Sequence, residues 1–144
     1  MSLTLYYHPL SSYSWKALIA LYEHGAPFAP SIVDPDTRPA FLKVWPIGKF
    51  PVLVDEARGV TVPESSAIID YLDLHYPGLA AMTPADPELA WRTRLWDRFF
   101  DLNVHTHMQK IVGDRIRPEG SKDPFGVAEA QERLGTAYGV LADE

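Results

Sequence analysis

The sequence predicts an α/β domain followed by an all-α region, and three observations support this fold class. Short β-rich runs alternate with helix-period segments in the first half of the chain. A Pro-rich stretch follows, and beyond it only helical periodicity remains. We therefore expect an α/β domain over residues 1–78, a linker over 79–86 and a helical domain over 87–144.

The composition excludes several classes of function. The chain has 144 residues, of which 47% are hydrophobic, and its net charge of −6 with no Lys/Arg cluster argues against a nucleic-acid partner. With no bilayer-length apolar run and no targeting segment, we expect a cytoplasmic protein without membrane contact. The chain has no cysteine, so any thiol chemistry must use a thiol of the ligand.

The first two elements are a strand and a helix. Leu3–Tyr7 is β-rich and stops before Pro9, because proline cannot continue a β-ladder. Ser11 or Ser12 then caps a helix that ends near Gly25. We expect its core-facing side to carry the apolar residues at helical spacing, Trp15, Leu18, Ile19 and Tyr22.

The middle of the first domain is expected to contain three strands and a short helix. Pro27–Val33 has strand character, and a loop over residues 34–39 leads into a short helix over Phe41–Trp45. The runs Pro51–Asp55 and Gly59–Val62 have the spacing of an antiparallel hairpin.

A third helix completes the first domain. It opens at Pro63-Glu64-Ser65 and repeats apolar positions at helical spacing, with Ile68, Tyr71, Leu72 and His75 on one face. The resulting order βαβ(α)ββα, in which parallel strands need a crossover helix, is the thioredoxin-like pattern.

The remaining chain predicts two amphipathic helices, one over residues 88–112 and one that begins at Pro124. Their aromatic residues are expected in the core, namely Trp91, Trp96, Phe99 and Phe100. The last helix places Val127, Gln131, Leu134, Tyr138 and Leu141 on one stripe that still runs at Glu144, so we expect this domain to be incomplete. His105 and His107 diverge at i, i+2 spacing, and no metal site is expected.

Three short segments could bind a ligand. Pro51 opens a strand, and a cis Phe50–Pro51 bond would turn the Phe50 backbone toward an extended peptide added at the sheet edge. At the start of the third helix, Ser65 and the free N–H groups suit a carboxylate, while Glu64 suits a neighbouring ammonium group. A hydroxyl of Ser11 or Ser12 at the first helix could instead donate to a thiolate. Each segment also has an ordinary structural explanation as a strand start or a helix cap.

Together these segments resemble the N-terminal domain of glutathione transferases. The matches are Leu5–Ser12, Gly48–Leu53 and Pro63–Ile68, in the same order and at similar spacing. The run Ser11–Trp15 is also similar to the Ser-Ser-Cys-Ser-Trp signature of the zeta class, which isomerises maleylacetoacetate, although Tyr13 replaces the cysteine.

The resemblance implies a serine-type enzyme in which Ser11 activates the glutathione thiol, with Tyr7 as the alternative activator. It implies that glutathione, the co-substrate, is held by Ser12, Lys49, Phe50, Pro51, Glu64 and Ser65, and we predict that the Phe50–Pro51 bond is cis. The implied activity is a glutathione transferase that acts on a small apolar electrophile in detoxification, as a homodimer and without a metal. The alternatives are a glutathione-binding carrier or interaction module without turnover, and a zeta-like isomerase.

Overall fold

The computed structural model describes residues 2–79 and 81–143. The chain forms two compact units, Met1–Ala90 and Trp91–Glu144. In the described parts of the chain, no helix is both long and apolar enough to cross a bilayer.

The first unit contains a four-stranded sheet. Its strands are β1 (Leu3–Tyr7), β2 (Phe28–Ile32), β3 (Val52–Asp55) and β4 (Val60–Pro63), and its helices are α1 (Ser12–Glu23), α2 (Arg38–Val44) and α3 (Ser65–His75). The strand order is β2-β1-β3-β4. Strand β2 runs parallel to β1, whereas β3 is antiparallel to both β1 and β4. This topology confirms the predicted thioredoxin-like order of elements.

The core of the first unit lies between the sheet and helices α1 and α3. Leucines of β1 and β3 pack there against the buried faces of the two helices, in a cluster that includes Leu3, Leu5, Leu53, Leu21, Ile68 and Leu72. A smaller cluster of Val33, Phe41 and Val52 includes the buried residue of α2. Burial of this apolar surface drives folding of the unit.

The core-facing side of α1 differs from the prediction. Leu18 is buried as expected, but Trp15, Ile19 and Tyr22 are exposed by 53%, 53% and 70%. The helix instead buries its small residues together with two leucines, Ser14, Ala17, Leu18, Ala20 and Leu21. Helical periodicity gives the spacing of the buried residues, but it does not say which face of the helix turns toward the core.

Helix α2 begins earlier than predicted. The expected loop over residues 34–39 ends at Thr37, and Pro39 lies in the first turn of the helix. Proline is tolerated there because a first-turn N–H has no partner within the helix. A proline therefore marked a helix start where we predicted a loop.

The second part of the chain is helical. Helix α4 (Pro87–Phe99) leads into a π-helical segment (Phe100–His105), which is followed by α5 (Thr106–Arg115), a 3-10 turn (Glu119–Ser121) and α6 (Pro124–Ala142). The predicted helix over residues 88–112 is thus interrupted by wider π-helical turns. Asp123 caps α6 by accepting a 2.9 Å hydrogen bond from the Gly126 N–H.

The aromatic residues of α4 and of the start of the π-helical segment are less buried than expected. Trp91 and Phe100 are exposed, and Trp96 and Phe99 are only half-buried. In α6, the most buried positions are Gly126, Ala130 and Ala137, whereas Tyr138 of the predicted stripe is exposed. As in α1, small residues occupy the closely packed positions.

Candidate functional site

The strand register brings the three predicted ligand-binding segments to one end of the sheet. Tyr6 of β1 pairs with Val52 of β3, and Val52 pairs with Pro63 of β4. The residues that follow β1, precede β3 and follow β4 therefore lie at the same end of three adjacent strands. Two strand spacings, about 10 Å, separate the outer segments. An extended ligand the size of a short peptide can span this distance.

A closed set of hydrogen bonds shapes the loop between β1 and α1. The Ser11 N–H donates to the His8 carbonyl at 3.0 Å. The Ser14 N–H donates to Ser11 Oγ at 3.2 Å, and the His8 N–H donates to Ser14 Oγ at 3.3 Å. His8, Ser11 and Ser14 thus fix one another, and Ser14 is fully buried. The position of the Ser11 hydroxyl is set by this arrangement.

Ser11, rather than Ser12, is the N-cap of α1. Its backbone is extended, with φ −91° and ψ 114°, and its Oγ accepts the Ser14 N–H. Our prediction left the choice between the two serines open, and the structure selects Ser11. The Oγ of Ser12 is buried and, within the described residues, has no hydrogen-bond partner. Two serine hydroxyls therefore lie at the N-terminus of this helix in different environments.

The segment before β3 provides the second part of the site. The Phe50–Pro51 bond is cis, as predicted. Pro51 is buried, Phe50 is half-buried and Lys49 is exposed. The paired part of β3 begins at Val52, so the Phe50 backbone lies just outside the ladder.

The third part of the site is the start of α3. Ser65 is the first residue of the helix and only 4% exposed, and Glu64 is its exposed N-cap residue. Glu64 has φ 69° and ψ 123°, within the described residues the only positive φ outside glycine. Such a conformation costs of the order of 1–3 kcal/mol for a residue with a Cβ, and strained residues of this kind cluster at functional sites.

Two contacts join the three segments. The rings of His8 and Phe50 stack with their centroids 5.7 Å apart and an interplanar angle of 25°. Lys16 of α1 donates from Nζ to Ser66 Oγ in the first turn of α3 at 3.2 Å. This lysine brings a positive charge to the N-terminal ends of both helices, where an anionic ligand group is favoured.

Some residues of this site were not predicted. His8 was assigned no role, and Ser14 and Lys16 were not considered as separate contributors. The clue for Ser14 was its position three residues after the cap, where a backbone N–H commonly bonds the cap side chain. Tyr7, the alternative thiol activator, is half-buried, and its ring packs against the main core cluster.

The arrangement is suited to a peptide that carries both an anionic group and an α-amino-acid group. Helix N-termini and Lys16 offer positive potential within a chain of net charge −6. The exposed carboxylate of Glu64 offers a partner for an ammonium group next to the buried Ser65. In the described part of the chain, no group of three or more His, Cys, Asp or Glu side chains is placed to hold a metal ion.

Comparison with known proteins points to one family. Residues 5–80 match a family model described as the N-terminal domain of glutathione S-transferase. The chain is 34% identical over 106 residues to Protein LigF of Sphingobium sp., and this match covers 70% of this chain and 40% of that protein. It is 29% identical over 136 residues to Glutathione S-transferase U25 of Arabidopsis thaliana, and this match covers 93% of this chain and 59% of that protein. The chain thus spans less than two thirds of either relative.

The fold agrees with this comparison. A solved glutathione S-transferase from Methylobacillus flagellatus, with glutathione bound, superposes with a TM-score of 0.80 at 26% sequence identity. The match covers 94% of this chain and 66% of the solved chain.

Proposed function

The chain belongs to the glutathione S-transferase family through its N-terminal domain, and we propose that it binds glutathione and activates the thiol for transfer to a small apolar electrophile. In this proposal the glutathione thiol loses its proton to solvent, and the Ser11 hydroxyl stabilises the resulting thiolate by donating a hydrogen bond to the sulfur. Phe50 pairs its backbone with the cysteinyl residue beside Pro51, and Glu64 and Ser65 hold the γ-glutamyl group. Ser12 and Lys49 are further contacts.

One observation carries this proposal, namely the hydrogen bond from the Ser14 N–H to Ser11 Oγ at 3.2 Å. A hydroxyl has one donor and two acceptor sites, so an oxygen that accepts this N–H keeps its proton available for a ligand atom. The same bond holds the hydroxyl at the N-terminus of α1, where the helix dipole favours an anion.

The energies are sufficient for thiol activation. A free thiol has a pKa of about 8.5, and lowering it by about two units requires about 2.7 kcal/mol of preference for the thiolate. A hydrogen bond to a charged group contributes about 1.5–3 kcal/mol. The helix dipole contributes about 0.3–1 kcal/mol. Together they account for a thiolate near neutral pH.

The test is the ultraviolet difference absorption of thiolate in bound glutathione, measured across pH. Ser11→Gly is the informative variant, because glycine replaces a serine N-cap at a loss of only a few tenths of a kcal/mol whereas alanine loses about 1 kcal/mol. We expect Ser11→Gly to raise the pKa of the bound thiol by about one to two units while binding changes little. Ser12→Ala and Tyr7→Phe serve as matched controls and should shift it less.

Three results would change the proposal. If Tyr7→Phe abolishes the thiolate and Ser11→Gly does not, Tyr7 is the activator. If Ser12→Ala has the largest effect, the unpartnered hydroxyl of Ser12 is the donor. If the parent protein binds glutathione but forms no thiolate, the chain is a binding module without turnover.

Three further expectations from the sequence stay predictions. Homodimerisation is implied by the family resemblance, and sedimentation of the full-length protein at micromolar concentration tests it. Cytoplasmic localisation is tested by fractionation of the source cells. The zeta-like isomerase activity, which Tyr13 in place of a cysteine makes less favourable, is tested by assay with maleylacetoacetate.

A further inference from the structure

The His8 side chain contacts two different parts of the site. Its ring stacks on Phe50, with the centroids 5.7 Å apart and the planes inclined by 25°. Its Nδ1 accepts a 3.1 Å hydrogen bond from the Leu10 N–H. Since an accepting Nδ1 carries no proton, this bond assigns the neutral tautomer with the proton on Nε2.

The backbone of His8 connects the same loop to α1. Its carbonyl accepts the Ser11 N–H at 3.0 Å, and its N–H donates to the buried Ser14 Oγ at 3.3 Å. Ser14 in turn donates its N–H to Ser11 Oγ. One residue is therefore bonded to the loop that carries Ser11 and is stacked on the residue before Pro51.

We infer that His8 is a positioning residue that sets where the Ser11 hydroxyl lies relative to the peptide backbone held by Phe50. This inference rests on the proposed function. The ring of His8 holds Phe50, which grips the cysteinyl backbone, and its Nδ1 holds the turn that leads to the thiol donor. One imidazole thus supports both the residue that binds the peptide backbone and the turn that carries the thiol donor.

Two substitutions separate these contacts. Asn at position 8 places an amide oxygen close to where Nδ1 lies, so His8→Asn keeps an acceptor for the Leu10 N–H and loses the ring. Conversely, His8→Phe keeps a ring to stack on Phe50 and loses the acceptor. If His8 only stabilised the fold, the two variants would not differ in which quantity they change, the Kd for glutathione or the pKa of the bound thiol.

The experiment measures two quantities in the full-length protein, the Kd for glutathione by calorimetry and the pKa of its bound thiol by ultraviolet difference absorption. For His8→Asn we expect glutathione to bind about two- to tenfold more weakly, the size of one aromatic contact, with the thiol pKa unchanged. For His8→Phe we expect the pKa of the bound thiol to rise by about 0.3–1 unit, a two- to tenfold fall in the ratio of thiolate to thiol that corresponds to one neutral hydrogen bond, with Kd within about twofold.

His75 provides a matched control. Its ring pairs with Tyr71 at a centroid distance of 4.6 Å, at the end of α3 away from the ligand-binding end of the sheet. His75→Asn and His75→Phe should leave both quantities at the parent values.

The inference is overturned if both His8 variants keep the parent values of Kd and thiol pKa. It is also overturned if, in both variants, the Kd and the thiol pKa rise together in proportion to a lowered melting temperature, because this is the behaviour of a residue with a structural role only. If the parent protein binds no glutathione, the proposed function fails first. A parent that binds normally together with unaffected His8 variants refutes this inference alone.

Discussion

The hydroxyl of Tyr76 donates a 2.5 Å hydrogen bond to Oδ2 of Asp55, and this links the C-terminus of α3 to the end of β3. Tyr71 donates to the same oxygen at 2.8 Å, and the Arg58 N–H donates to Oδ1 at 3.3 Å. Asp55 is fully buried. Burial alone would raise its pKa, but the hydrogen bonds from Tyr76, Tyr71 and the backbone outweigh that effect and hold the pKa below its usual value.

The first prediction concerns Tyr71. Tyr71→Phe removes one donor to the buried carboxylate, so we expect the free energy of unfolding at neutral pH to fall by about 1.5–3 kcal/mol. Chemical denaturation monitored by circular dichroism measures this change. Tyr22→Phe is the matched control, since Tyr22 is 70% exposed. Equal effects of both variants would contradict the assigned role of the Tyr71 hydroxyl.

The pH dependence follows from the same contacts. Folding lowers the pKa of Asp55, so the ionised carboxylate stabilises the folded state above the unfolded pKa of about 3.9. This contribution to the free energy of unfolding is lost as the pH falls below that value. Burial and the nearby Asp55 raise the pKa of Tyr71 from 10.0 to about 12, so its contribution is complete below pH 10 and is lost between pH 10 and 12. Tyr71→Phe should therefore reduce the fall in the free energy of unfolding between pH 10 and 12. An unchanged fall over this range would refute this account.

A second prediction concerns the strained backbone of Glu64. Glu64→Gly should raise the free energy of unfolding by about 1 kcal/mol or more, because glycine adopts positive φ without a Cβ clash. It should also weaken glutathione binding, since the proposed partner of the ammonium group is lost. Glu64→Ala keeps the strain and should weaken binding without stabilising the fold. Thermal melting and calorimetric titration of both variants distinguish the two effects.

A third prediction concerns the carboxylate partner at the start of α3. Ser65→Ala should weaken glutathione binding by about 1–3 kcal/mol, because the γ-glutamyl carboxylate would lose a donor. Calorimetry measures the dissociation constant. Ser121→Ala, in an exposed 3-10 turn, is the control. An unchanged constant for Ser65→Ala would make Ser65 an ordinary helix-start residue.

The fourth prediction concerns Asp73, which holds the segment after α3. Asp73 Oδ1 accepts the Met82 N–H at 2.8 Å, and Oδ2 accepts the Thr83 N–H at 2.9 Å. Oδ1 also lies 2.9 Å from Nε2 of His24, whose Nδ1 accepts the Gly78 N–H. The Asp73 carboxylate therefore holds the backbone of Met82 and Thr83 directly and that of Gly78 through His24.

Removing that carboxylate should open the segment locally. We expect Asp73→Ala to accelerate protease cleavage within residues 77–86 several-fold while the melting temperature of the unit falls only slightly, because the lost bonds are local. Limited proteolysis followed by mass spectrometry locates the cut. Glu23→Ala is the charge-matched control. Cleavage rates equal to the parent would show that other contacts hold the segment.

Local chemistry in the sequence was enough to predict the order of the elements in the first unit. Leu3–Tyr7 was predicted with both of its ends correct, because a β-rich run meets a proline-containing turn. The helix that starts at Pro124 was predicted from the proline at its first turn, and the structure adds Asp123 as its cap. The cis bond at Phe50–Pro51 was predicted from its position at the start of a strand together with the family resemblance, and it is confirmed.

Three features required the tertiary structure. The buried phase of α1 is set by which side chains fit against the core, so the exposed Trp15 and Ile19 were wrongly assigned to it. The choice of Ser11 as the cap depends on the backbone geometry around Ser14. The interruption of the helix after Phe99 by π-helical turns leaves no signal in a 3.6-residue period.

The sequence by itself determined the strand and helix order of the first unit, the family and the three segments predicted to meet a ligand, because each depends on neighbouring residues or on spacing along the chain. Only the tertiary structure placed His8 between Phe50 and the Ser11 loop and linked Lys16 to Ser66. His8 and Phe50 are 42 positions apart, and Lys16 and Ser66 are 50 positions apart. Contacts at such separation arise when strands pair and helices pack, and no local pattern encodes them.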